Sequence, residues 1–166
     1  MNNNIFQGYL YRIGWKKAGP FGVIGQFWRD LRCCWQRVTQ GYCERDVWEM
    51  DVWMLNMLPD MLEHLQKRHI GHPGVFADAE DGDEQWAQLL GEMARLFRDA
   101  NEQTCTRKNP HEAEWEKQLE HWNPNREQTE LDKRYFDEEC KLAEYRNDCK
   151  DQAFVLLSKW FFDLWD

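Results

Sequence analysis

The chain has 166 residues, 42% apolar and 31% charged, a balance that suits one folded domain and excludes a disordered chain. Its formal charge of -9 makes duplex nucleic acid a poor partner, because phosphate neutralisation drives such binding. No apolar run approaches the ~18 residues of a membrane span, and no basic start precedes a cleavable apolar stretch, so membrane insertion and secretion are not expected.

Charge and aromaticity are unevenly placed. Residues 1–45 hold seven basic side chains against Asp30 and Glu44, so the excess of acid lies beyond them. Ten Trp, nine Phe and five Tyr make aromatic packing dominate either the core or an interface. Six cysteines without a Cys-x-x-Cys pair, two of them adjacent (Cys33, Cys34), read as reduced, packed thiols in a cytoplasm.

Residues 1–21 form an aromatic arm ahead of one helical domain over 22–166. Ile5, Tyr9, Tyr11, Ile13 and Trp15 share odd positions, as on a strand face, while Gln7, Gly8 and Gly14 interrupt them, so strand and irregular arm both stand open. From Val23 to Gln40 the apolar residues Ile24, Phe27, Trp28, Leu31, Cys34, Trp35 and Val38 fall at helical spacing, and Gly41 closes the helix. A second helix is predicted from Cys43–Asp46 to Arg68, apolar nearly all round and therefore central, with a kink or a junction of two helices at Pro59.

Residues 69–82 read as a loop. Asp83 then caps a helix whose seam is Trp86, Leu89, Leu90, Met93, Leu96, Phe97 and Ala100. Asn109-Pro110 opens a short polar helix through Trp122, with Glu112, Glu116 and Glu120 stacked at four-residue spacing. A long last helix runs from about Glu127 to Trp165 along Leu131, Tyr135, Leu142, Tyr145, Cys149, Ala153, Leu156, Leu157, Trp160, Phe161 and Leu164. Its end, FVLLSKWFFDLWD, is apolar enough to be expected inside. The fold class is all-α: a bundle of about five to six helices around the second one.

Asp51 is the most telling single residue. On the second helix Trp48, Asp51, Leu55, Leu58, Leu62 and Leu65 form one stripe in which Asp51 is the only charge. A carboxylate there must be paired or hydrogen-bonded, or serve as a metal ligand or base. Reactive motifs are otherwise scarce. There is no Glu-x-x-His pair, no phosphate-cradling Gly-rich loop and no His-x-x-x-His; Glu127-x-x-Glu130 lacks the second half of a helical pyrophosphatase motif, and Ser158 is the only serine.

The stretch GYCERDVWEMD and the terminal SKWFFDLWD resemble a family of small uncharacterised bacteriophage proteins. In that family a Gly-Tyr-x-x-x-Asp-x-Trp-x-x-Asp segment opens a helix containing a proline, and the chain closes on an aromatic Leu-Trp-Asp tail. Cys43 departs from the small polar residue of that pattern. The resemblance implies viral origin and the host cytoplasm and nothing catalytic; Tyr42, Asp46, Trp48 and Asp51, which stand in the stretch GYCERDVWEMD, are the candidate binding residues. We therefore expect a non-enzymatic, phage-encoded interaction protein without a cofactor or metal, binding a host or phage protein and inhibiting a bacterial defence system. An acidic body with exposed aromatics suits a basic partner, and self-association is open to it. Two alternatives stand: a binder that sequesters a nucleotide signal, and a metal-dependent hydrolase using Asp46, Asp51 and Glu139.

Overall fold

The computed structural model describes residues 20–119 and 127–165, with side chains from residue 25; the strand-or-arm question at the start of the chain lies outside them. The described residues are all-α, with six helices: α1 Pro20–Gln40, α2 Glu44–Trp48, α3 Met50–Arg68, α4 Gly82–Ala100, α5 Glu112–Leu119 and α6 Glu130–Trp160. Single 3-10 turns lie at Gly74–Phe76 and Phe161–Asp163. The chain divides into two compact units, Met1–Met54 and Leu55–Asp166.

In the first unit α1 ends at Gly41, whose φ of +84° is the left-handed stop that glycine adopts without strain. The helix break that follows is not at Pro59. It falls at Glu49 (φ -128°, ψ 52°), and α3 runs through a buried Pro59 without ending there. The break changes the meaning of the Asp51 stripe. Asp51 lies in the first turn of a new helix, where the helix dipole favours an acid, and its side chain is exposed. The buried acid of this region is Asp46.

The second unit holds the core. Trp86, Leu90, Met93, Ala94, Leu96 and Phe97 of α4 pack with Leu62 of α3 and with Cys149, Ala153 and Trp160 of α6. The α4 and α6 seams were legible at 3.6-residue spacing, and α4 is the most enclosed helix; α3 contributes Pro59 and Leu62 as its buried residues. Phe76, Trp86 and Trp160 close one end as an aromatic trio, with Phe76 and Trp160 stacked at 5.5 Å and Trp86 edge-on to Trp160 at 5.6 Å. At the other end Trp115 of α5 stacks flat on Tyr135 of α6 at 4.0 Å, and its indole N–H donates to the buried Asp132.

The terminal segment departs from expectation. Ala153 and Trp160 are buried, whereas Phe154, Val155, Phe161, Phe162 and Trp165 are exposed. A helix offers one face to a neighbour, so an all-round apolar sequence leaves the remainder outside. Asp83, expected as a cap, sits instead inside the first turn of α4 and holds His72 at 2.7 Å. All six cysteines are free thiols, and no helix among the described residues is long and apolar enough to cross a membrane.

Candidate functional site

The first unit is fastened by charge. Asp46, 5% exposed, accepts from Arg37 Nε at 3.0 Å and Arg37 Nη2 at 2.5 Å, and from the Cys43 backbone N–H at 2.8 Å. Burial pushes the Asp46 carboxyl pKa up, but the Arg37 and Cys43 hydrogen bonds outweigh it and hold the pKa well below the carboxylate range. Arg32 meets Glu44 at 2.7 Å and Arg45 meets Asp30 at 3.4 Å. The basic face of α1 is thus a clamp onto α2, and the aromatic face is left outward. Phe27, Trp28, Leu31, Trp35 and Val38 are all exposed, with the Phe27 and Trp28 rings edge-to-face at 6.1 Å.

The four residues expected to bind lie in different settings. Asp46 is turned inward and held by the clamp, Trp48 is exposed at the end of α2, Tyr42 is exposed between α1 and α2, and Asp51 is exposed at the start of α3. Glu139, the third acid of the hydrolase reading, accepts from Asn109 Nδ2 at 2.9 Å and lies 3.6 Å from Arg146. Among the described residues no three His, Cys, Asp or Glu side chains gather as a metal site would need.

Sequence reasoning missed a second locality, in the other unit. Asp99, 1% exposed at the end of α4, accepts from Arg95, from the Thr106 backbone and hydroxyl, and from the Tyr145 hydroxyl. Burial pushes its pKa up, and these bonds bring it below the ordinary carboxylate value. Together with buried Asn101, Cys105 and Asn109 it pins the connection between α4 and α5. Asn101 accepts from the Gln103 N–H and donates to Asn56; Asn109 donates to the Tyr135 carbonyl and accepts from the His111 N–H.

Two open clefts flank this connection. The first, about 410 Å³, includes Arg95 and Arg98, and both are closed by carboxylates: Arg95 by Glu92 and Asp99, Arg98 by Asp60 and Glu63. The second, about 490 Å³, is lined by Arg107, Lys108, Pro110, Glu138, Lys141, Leu142 and Tyr145. There the Arg107 guanidinium carbon sits over the Tyr145 ring, 3.6 Å from its centroid. The sequence signal for it was an Arg-Lys pair beside Asn-Pro within a polar connection, which has no periodicity to single it out.

Compared with protein-family models, curated proteins and solved structures, the chain matches none.

Proposed function

We propose that this chain acts by binding a protein partner, without catalysis, and that the aromatic face of α1 is its docking element. The observation that carries this reading is the exposed row Trp28, Leu31, Trp35 and Val38, with Phe27 beside it. Its spacing is that of an amphipathic helix anchoring in an apolar groove. Tryptophans are the side chains that most often dominate binding energy at such contacts, and this row presents several hundred Å² of apolar surface, on the order of a dedicated interaction patch.

Local charge selects the partner. The chain as a whole is acidic. On α1, Arg37 is taken up by the buried Asp46, and Arg32 holds Glu44 through an exposed ion pair that a partner's acid can share. Arg29 bonds only to the neutral Gln26 among the described residues. Arg29 and Arg32 are exposed. The complement is a folded protein with an apolar groove and an acidic rim, which would also steer association. The bacteriophage resemblance supports a host protein as that partner and interference with a host defence as the setting.

The test places a photo-crosslinking side chain at Leu31 of the full chain in bacterial cells. The expected product joins the chain to one other protein, disappears with Trp28→Asp or Trp35→Asp, and is rebuilt from the two purified proteins at a fixed ratio. Circular dichroism of the variants checks their fold. Products confined to the chain itself, or to a second copy of it, overturn the reading.

A further inference from the structure

We propose that the cleft between residues 107–110 and α6 binds a nucleoside phosphate. The inference stands on the second unit alone and is independent of what α1 docks.

The cleft wall is a built loop. Ordering a polar connection costs conformational entropy, and here it is held by an unusual density of buried polar anchors: Asp99, Asn101 and Asn109. The Thr106 N–H and hydroxyl reach Asp99 at 2.9 and 2.8 Å, and the Asn109 amide reaches the Tyr135 carbonyl at 3.0 Å. These anchors bracket Arg107 and Lys108, so two exposed cations are presented from a fixed backbone. Charged residues on a loop fixed by a rigid scaffold are the usual form of a binding element.

Charge in the cleft is opposite to that of its surroundings. Residues 55–166 hold 25 acidic and 14 basic side chains, yet the cleft lining has Arg107, Lys108 and Lys141 against Glu138 alone. Lys141 meets Glu138 at 2.9 Å, and Lys108 rests on the Glu102 and Gln103 carbonyls at 3.3 and 3.5 Å. Among the described residues no carboxylate pairs with Arg107, in contrast to Arg95 and Arg98 in the neighbouring cleft. Glu138 answers Lys141 through an exposed ion pair, which leaves the lining two cations in excess, and ammonium and guanidinium groups together suit phosphate oxygens.

Shape narrows the anion. The Arg107 guanidinium is held over Tyr145 at 3.6 Å, and its side away from the ring is a planar cation on which a nucleobase can stack. Pro110 and Leu142 supply apolar wall, and about 490 Å³ falls within the range of small-molecule sites. A planar base on Arg107 with its phosphates at Lys108 and Lys141 uses every feature of the cleft.

The experiment is an amide NMR titration of the full chain with ATP, with tripolyphosphate and with adenosine. We expect saturable ATP shifts confined to residues 106–110 and 138–145, and ATP bound at least about tenfold more tightly than either fragment. Arg107→Gln and Lys141→Gln should each weaken ATP by about tenfold, while Lys150→Gln, outside the cleft, should not change it. Arg107→Lys should weaken ATP more than tripolyphosphate, because it keeps the charge and removes the platform. Unchanged urea midpoints establish that the variants are folded. Shifts spread over all exposed lysines and arginines, or tripolyphosphate binding as tightly as ATP, would overturn the proposal.

Discussion

The Tyr145 hydroxyl donates to the Asp99 carboxylate at 2.8 Å across 46 residues of chain, joining the end of α4 to the middle of α6. Burial and the bond to Asp99 push the phenol up to about 12, so the pair stays a neutral phenol on a charged carboxylate throughout the neutral range. Tyr145→Phe removes one of four donors to Asp99 and should cost about 1–2 kcal/mol. Asp99→Ala strands all four and should cost more, about 3 kcal/mol or above. Urea unfolding of the two variants checks the order.

Acid should destabilise the protein through a small set of carboxylates. Asp46, Glu63, Glu92 and Asp99 all have folded pKa values below their ordinary ones of 3.8 for Asp and 4.5 for Glu. A lowered folded pKa means that the unfolded chain binds the proton first as pH falls. Their stabilisation is therefore complete above about pH 5 and is lost on going below it, through the ordinary carboxylate range toward the folded values. Urea midpoints between neutral and acid pH should fall in that window. A midpoint independent of pH there would contradict the assignment of these pairs.

Arg37 and Asp51 make a contrasting pair of mutations. Arg37→Ala leaves the Asp46 carboxylate buried without its fork, and hydrogen exchange across residues 30–48 should quicken by the equivalent of about 2–4 kcal/mol. Asp51→Ala alters an exposed first-turn acid and should change stability by about 0.5 kcal/mol or less. Equal effects from the two would show that Asp51 carries a burden its exposure does not suggest.

Two glycines of α4 should respond oppositely to alanine. A Cβ at Gly82 would lie 2.7 Å from the Phe76 carbonyl oxygen, a backbone atom that cannot step aside, so Gly82→Ala should lose about 1–3 kcal/mol. At Gly91 the nearest obstacle, at 2.5 Å, is the amide end of the Gln66 side chain. That end can swing away at the cost of its bond to the Ala87 carbonyl, while alanine in a helix interior gains about 0.5–1 kcal/mol over glycine. Gly91→Ala should therefore be near neutral. Thermal melts of both variants decide it.

The helices that carry a seam were readable because one face of each meets the core: Trp86, Leu90, Met93 and Phe97 repeat at 3.6-residue spacing, as do Leu142, Cys149, Ala153 and Trp160. The break at Glu49 was not readable. No Gly or Pro marks it, and α2 is held beside α1 by the bond of Asp46 to Arg37, a contact nine residues apart that propensity does not contain. The break takes Trp48 off the stripe of Asp51, Leu55, Leu58, Leu62 and Leu65 and leaves Asp51 in the exposed first turn of α3, ahead of the leucines that meet the core. The terminal aromatics fail for a related reason, since composition reports how apolar Phe161 and Phe162 are, not whether another element lies against them. The Arg107 cleft depends on contacts such as Asn109 to Glu139, 30 residues apart, and only the folded chain brings them together.

The anchors at Asn101, Cys105 and Asn109 set a fixed spacing between their neighbours on α3, α4 and α6. Inserting or deleting a single residue between Asn101 and Asn109 would throw the later anchors out of register together. The connection at residues 77–81, without a buried residue, has no such constraint. A tag or extra residues spliced into the chain should thus be tolerated at Asp78–Glu80 and rejected at Gln103–Lys108, although both are short surface connections.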